Sequence, residues 1–132
     1  MSYIDELWKQ VPENQLTELN KVKEIYSGAN IDFAILDPQG NVCKCDLATS
    51  IIWQQLCPDA AKIAFDEINN KKVSTVFLNF DQAFGENIFF ESMVFINDKP
   101  DTKNAIRAKT LEQAHKNHDF LCDNLKLELL KN

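Results

Sequence analysis

The sequence predicts an α+β domain in which helices pack mainly on one face of an antiparallel β-sheet. Two segments carry that prediction. Residues 73–95, VSTVFLNFDQAFGENIFFESMVF, set two runs of Val, Ile, Thr and Phe on either side of a polar turn centred on Gly85, Glu86 and Asn87. Branched and flat side chains suit a pleated surface, so the segment reads as a β-hairpin. Further on, Thr110-Leu111-Glu112-Gln113 has the spacing in which an N-cap hydroxyl and the residue three places later satisfy each other's backbone donors. Leu111, Ala114, His118, Leu121, Cys122, Leu125 and Leu129 then recur at helical spacing, giving a long C-terminal helix. With 132 residues the chain reads as a single domain, residues 1–30 being a helical extension of a core formed by residues 31–132.

The remaining elements follow in chain order. Residues 3–10 form a short helical turn carrying Trp8. Residues 12–27 form a helix on the stripe Leu16, Leu19, Val22 and Tyr26, with Pro12 in its first turn and Gly28 at the left-handed position after its last. Residues 31–36 and 41–45 are the arms of a first hairpin around Asp37-Pro38-Gln39-Gly40, where Pro and Gly hold the turn positions that suit them. Asp46 caps a helix through Leu47, Ile51, Ile52, Gln55 and Leu56, which has Trp53 as its largest side chain and ends near Cys57 because Pro58 follows. In residues 61–68 the alternation of Ile63, Phe65 and Glu67 favours a strand, and Asn69-Asn70-Lys71 a tight turn into residues 73–80; residues 88–96 complete a three-stranded meander. The polar stretch 97–109, NDKPDTKNAIRAK, reads as a loop because it contains Pro100.

A formal net charge of −6, from 14 basic and 20 acidic residues, disfavours nucleic acid as a partner, since each phosphate neutralised normally requires a Lys or Arg. No apolar run approaches the ~20 residues that span a bilayer, so no membrane partner is expected. Asp5 and Glu6 stand where a secretion signal would be basic and apolar, and Cys43, Cys45, Cys57 and Cys122 are expected to be reduced packing thiols of a cytosolic protein.

The chain resembles a family of small phage and prophage proteins whose marks are a strand V-S-T-V-F-L-G-x-D-H, a turn with F-G, a strand L-F-E-T-M-V-F and a closing R-Y-x-T-x-E-E-A followed by His. Here these are residues 73–82, Phe84-Gly85, residues 89–95, and residues 107–114 with His118. Asn79 replaces the usual Gly, Gln82 the usual His, and the loop after Gly85 is shorter. The resemblance implies a phage or mobile-element origin and little chemistry. Small soluble phage proteins outside the virion are often host-takeover or anti-defence factors, so the expectation by that association is an accessory protein of the host-cell cytosol that inhibits or sequesters a host protein or a small anionic, nucleotide-like signal.

Candidate sites are weighed on their chemistry. Asp81 and Glu91 lie near the inner ends of the predicted hairpin strands, where a carboxylate pair serves acid–base work, yet the structural expectation is that Asp81 caps the loop and Glu91 meets Arg107. His118 faces the sheet near Asp81 or Glu91 and is expected to be a polar pin. His115 supplies no convincing ligand set with it, so no metal and no cofactor are expected. There is no Gly-rich phosphate loop and no nucleophile elbow. By alternation Phe77, Asn79 and Asp81 share one sheet face, and Val76, Leu78 and Phe80 the other. Aromatic surface on both faces predicts a homo-oligomer that buries one of them. The leading expectation is therefore a binding protein whose ligand or partner meets Asp81, Gln82, Phe84 and Asn87 in the turn, and Lys103 and Arg107 in the basic stretch that also holds Lys99 and Lys109. The alternative is a metal- or His-dependent hydrolase built on Asp81, Glu91 and His118.

Overall fold

A computed structural model describes residues 2–25, 32–83 and 85–131 and has the α+β architecture that the sequence predicts. It divides into two compact units, Met1–Ala61 with Asn79–Asn87, and Lys62–Leu78 with Ile88–Asn132.

In the first unit, α1 (Tyr3–Lys9) starts at Ser2, whose hydroxyl accepts the Asp5 N–H, and α2 (Glu13–Ile25) follows Pro12. The expected end of this helix at Tyr26, Ser27 and Gly28 lies outside the described residues. Strands β1 (Phe33–Leu36) and β2 (Val42–Cys45) pair antiparallel, and α3 (Leu47–Leu56) is capped by the Asp46 carboxylate, which accepts the Thr49 N–H at 2.8 Å. Leu7, Ala34, Ile35, Ile52 and Trp53 form the core, each 1% exposed or less. The two indoles are also satisfied: Trp53 Nε1 donates to the Leu36 carbonyl and Trp8 Nε1 to Thr49 Oγ1, both at 3.0 Å. These bonds tie α3 to β1 and α1 to α3.

The hairpin turn between β1 and β2 is held by Asp37, whose Oδ1 accepts the N–H groups of Gln39 and Asn41 at 2.9 Å. The Asn41 N–H above all, then the Asn41 amide and the Gln39 N–H, hold its carboxyl below the usual range against a smaller opposing effect of burial. A group whose folded pKa is depressed stabilises the fold above its unfolded value of about 3.9 and loses that contribution as pH falls through the folded value. In a pH titration followed by NMR, Asp37 is expected to titrate below an exposed aspartate, with β1–β2 contacts loosening as pH falls through that lower pKa.

The second unit is a four-stranded antiparallel sheet in the order β3 (Lys62–Ile68), β4 (Lys71–Phe77), β5 (Phe90–Ile96), β6 (Lys99–Ala108), with α4 (Leu111–Leu130) along one face. The stretch 97–109 is thus mostly a strand and not the loop expected from its polarity. Asn97 and Asp98 have φ of 53° and 63°, like Asn69 and Asn70 at 46° and 62°, so both hairpins close through two-residue left-handed turns. Pro100 is tolerated because β6 is an edge strand, where a missing N–H leaves no ladder bond unmade. The register jumps between Ser92 and Val94, and the extra residues of β6 fold around Asp101, which accepts the Lys103 N–H and the Asn104 amide. Such a bulge keeps the edge from pairing further.

The buried face carries Val73, Thr75 and Phe77 of β4 and Phe90, Ser92 and Val94 of β5, beneath Ala114, His118, Leu121, Cys122 and Leu125 of α4. Alternation along the expected hairpin stops at Phe77. Beyond it, residues 79–81 join the first unit as a further pairing of β1: Ala34 N–H donates to Asn79 O, the Asn79 amide to Ala34 O, and Asp81 N–H to Asp32 O, at 2.8–3.0 Å. Asn79 and Asp81 therefore do not share a sheet face with Phe77.

Candidate functional site

The polar groups that converge most closely in the second unit lie under α4. Thr75 and Ser92 face each other across β4 and β5, and their hydroxyl oxygens are 2.7 Å apart. His118 Nδ1 lies 2.8 Å from Thr75 Oγ1, and His118 Nε2 lies 2.7 Å from Asp66 Oδ2 on β3. A carboxylate only accepts, so Nε2 carries the hydrogen toward Asp66; the direction of the Thr75–Nδ1 bond follows the ring's hydrogen, the hydroxyl donating where Nδ1 is bare and accepting where Nδ1 carries one. One helical turn on, the Cys122 thiol approaches the same Asp66 oxygen at 3.8 Å. The His118 hydrogen bond, foremost, holds the Asp66 carboxyl below its ordinary range, whereas burial and then the Asp66 charge push the Cys122 thiol up to about 11. A cleft of about 430 Å³ opens beside Asp66 and Cys122, lined also by Glu67, Asp119, Asp123 and Lys126.

The order carboxylate, imidazole, hydroxyl matches that of a nucleophilic relay, but the burial does not. Thr75 is 0% and Ser92 1% exposed, so the hydroxyl end lies in the core while the carboxylate end meets solvent. The cleft gives access to Asp66 and Cys122, and to neither hydroxyl.

The residues expected from the sequence fall elsewhere. Asp81 Oδ1 accepts the Ala83 N–H at 3.0 Å, and Oδ2 accepts those of Gly85 and Asn87 at 2.8 and 2.9 Å, which is the loop-capping role. The Gln82 amide turns back to the Phe80 carbonyl at 3.5 Å, and Phe84 lies outside the described residues. Glu91 accepts from Arg107 Nε at 3.4 Å across β5 and β6, and Lys103 is exposed in the β6 bulge. The structure thus gathers Asp81 with Asn87 in the first unit, and Arg107 with Glu91 in the second. The partners of His118 are Asp66 and Thr75 in place of the expected Asp81 or Glu91, and His115 is exposed.

Asp66, Thr75, Ser92 and Cys122 were not legible as a site. The one local signal is the i, i+4 spacing of His118 and Cys122, which sets both on one helix face; Asp66 comes from a strand 52 residues earlier. Cys45, on β2, has its thiol pushed up to about 12 by burial, then by the charges of Asp46 and Cys43, in keeping with a packing role. Among the described residues no helix is long and apolar enough to cross a membrane.

No family model, curated protein or solved structure matches this chain.

Proposed function

We infer that the chain works by binding, as a homodimer joined through the sheet face opposite α4. The observation that carries this reading is the partly exposed apolar surface of that face, with Phe65 on the edge strand β3 its most exposed residue. The register puts Phe65, Ser74 and Met93 on one row, with Val76, Glu91 and Arg107 on one side and Glu67, Lys72, Phe95 and Pro100 on the other. Phe65 is 61% exposed. The one helix of this unit lies on the other face, so these side chains have no cover of their own within it. An exposed aromatic sheet face is a hazard unless paired.

The occupant is a second copy because the charges around the apolar row are of both signs, Glu67 and Glu91 against Lys72 and Arg107. An isologous contact brings a patch against itself, so it needs both signs on one surface. Four strands of about seven residues span roughly 19 by 23 Å. That plane is smaller than the ~800 Å² per partner of a standard interface, so the dimer is a reversible one. The phage-type resemblance supports an accessory role in the host cytosol, occupying or sequestering a host-defence protein or a nucleotide-like anion. For an anion, the exposed lysines Lys99, Lys103 and Lys109 along and after β6 supply the charge.

Light scattering on the eluting protein tests the assembly. Wild type is expected to approach twice its 15.1 kDa on raising the concentration, and Phe65→Lys to remain at 15.1 kDa with an unchanged circular dichroism spectrum. A wild-type monomer at every concentration up to about 100 µM would overturn the reading.

A further inference from the structure

We propose that Asp66, His118 and Cys122 bind one divalent transition-metal ion, zinc by preference, which clamps α4 to the edge strand β3. Their ligating atoms, a carboxylate oxygen, an imidazole nitrogen and a thiol sulfur, all lie within 4.8 Å of one another. A tetrahedral zinc, with bonds of about 2.0 Å to N and O and about 2.3 Å to S, sets ligand atoms roughly 3.3–3.6 Å apart. The 2.7 Å between His118 Nε2 and Asp66 Oδ2 therefore opens slightly, and the 3.8 Å between Cys122 Sγ and that oxygen closes slightly. Asp66 has the freedom to adjust, since its side chain is 59% exposed, while His118 at 3% is fixed.

The donor set selects the ion. Calcium and magnesium take oxygen ligands, whereas thiolate with imidazole and one carboxylate suits zinc. His118 and Cys122 project from one face of α4 one turn apart, and Asp66 comes from the neighbouring strand, so the ion joins two elements. The surroundings also meet what a ligating histidine needs on its far side. A metal on Nε2 requires the hydrogen on Nδ1, and Thr75 Oγ1 is there to accept a hydrogen bond from it at 2.8 Å while donating its own O–H to Ser92 Oγ at 2.7 Å. Hydroxyls reverse their direction without moving an oxygen, so the ring keeps one orientation in either tautomer. On binding, Cys122 releases its thiol proton to solvent, the His118 hydrogen leaves Nε2 and one is taken up at Nδ1 by exchange with solvent, and Asp66 exchanges its hydrogen bond from His118 for a bond to the ion. The fourth position opens on the 430 Å³ cleft, where water completes the sphere and the carboxylates of Asp119, Asp123 and Glu67 outnumber the one cation, Lys126, so that the net potential draws a cation in.

The test uses tag-free full-length protein, reduced with a phosphine and stripped with a chelator, titrated with zinc chloride in competition with a chromophoric chelator. One equivalent is expected to bind at micromolar affinity or tighter, with Cys122→Ser and Asp66→Asn each weakening it at least tenfold. Both substitutions are close in shape to the native residue, so folding is not at stake as it is for His118. With cobalt(II) in place of zinc, wild type is expected to show thiolate-to-cobalt charge transfer and Cys122→Ser to lack it. Less than half an equivalent bound, or equal affinity in wild type and Cys122→Ser, or a cobalt spectrum without the thiolate band, would each overturn the proposal.

Discussion

Replacing His118 by alanine is expected to lower stability by about 2–3 kcal/mol while leaving the sheet topology unchanged. The ring is 3% exposed and lies between α4 and the sheet, so its removal leaves a cavity lined by Thr75, Ser92 and Cys122. The partners it leaves behind fare differently. Asp66 has a side chain that is 59% exposed and regains water, so no buried charge is stranded. Thr75 is fully buried but keeps Ser92 at 2.7 Å. The cost is therefore mainly packing and one good hydrogen bond, and it falls short of the 3–5 kcal/mol of a broken buried ion pair. Urea melts with a chelator present, so that no metal contributes, are expected to show a lower midpoint with the slope unchanged. His118→Gln, which fills part of the space and reaches one of the two partners, is expected to recover about half of the loss. Undiminished stability in His118→Ala would mean that the ring is not the pin between α4 and the sheet.

The parts of this fold that were legible are those whose determinants are local. Asp46 with Thr49, Thr110 with Gln113, and Asn69 with Asn70 act within a few residues, so caps and turns announce their helices and hairpins directly. β6 was hidden because an edge strand needs only one paired side and admits Pro100, Lys103 and Asn104, whose composition is that of a loop. Its signal was Asn97-Asp98, a repeat of the turn that opens β4, and it was outweighed by polarity. The Asp66–His118–Thr75–Ser92 chain was hidden for another reason. It joins β3, β4, β5 and α4, and which residue of each strand meets the helix depends on register. Alternation made Ile63, Phe65 and Glu67 a set, and by the same alternation Asp66 points the other way, to the helix-covered face. An acidic residue on the core side of a strand was the available clue, and it names a partner only once a histidine is known to lie opposite.

The expected effect of Asp81→Ala is of similar size, about 2–3 kcal/mol, but confined to the loop that returns to β1. Asp81 is 6% exposed, and its two oxygens receive the backbone N–H groups of Ala83, Gly85 and Asn87 within 3.0 Å. A carboxylate that accepts several amide hydrogens in this way fixes the chain through two left-handed positions, Gly85 at φ 103° and Asn87 at φ 64°. Alanine removes the acceptor from all three. Gly85 and Asn87 lie near solvent, so water replaces part of what is lost and the cost stays below the sum of three charged hydrogen bonds. Asp81→Asn keeps one acceptor oxygen and is expected to cost about half as much. Hydrogen exchange should show the change where it acts: faster exchange at Ala83, Gly85 and Asn87, and at the Ala34 amide that donates to Asn79, with the amides of β4 and β5 protected as before. If the three loop amides exchange at the wild-type rate in Asp81→Ala, the carboxylate is not what holds the loop, and a direct role for Asp81 toward a ligand regains its place.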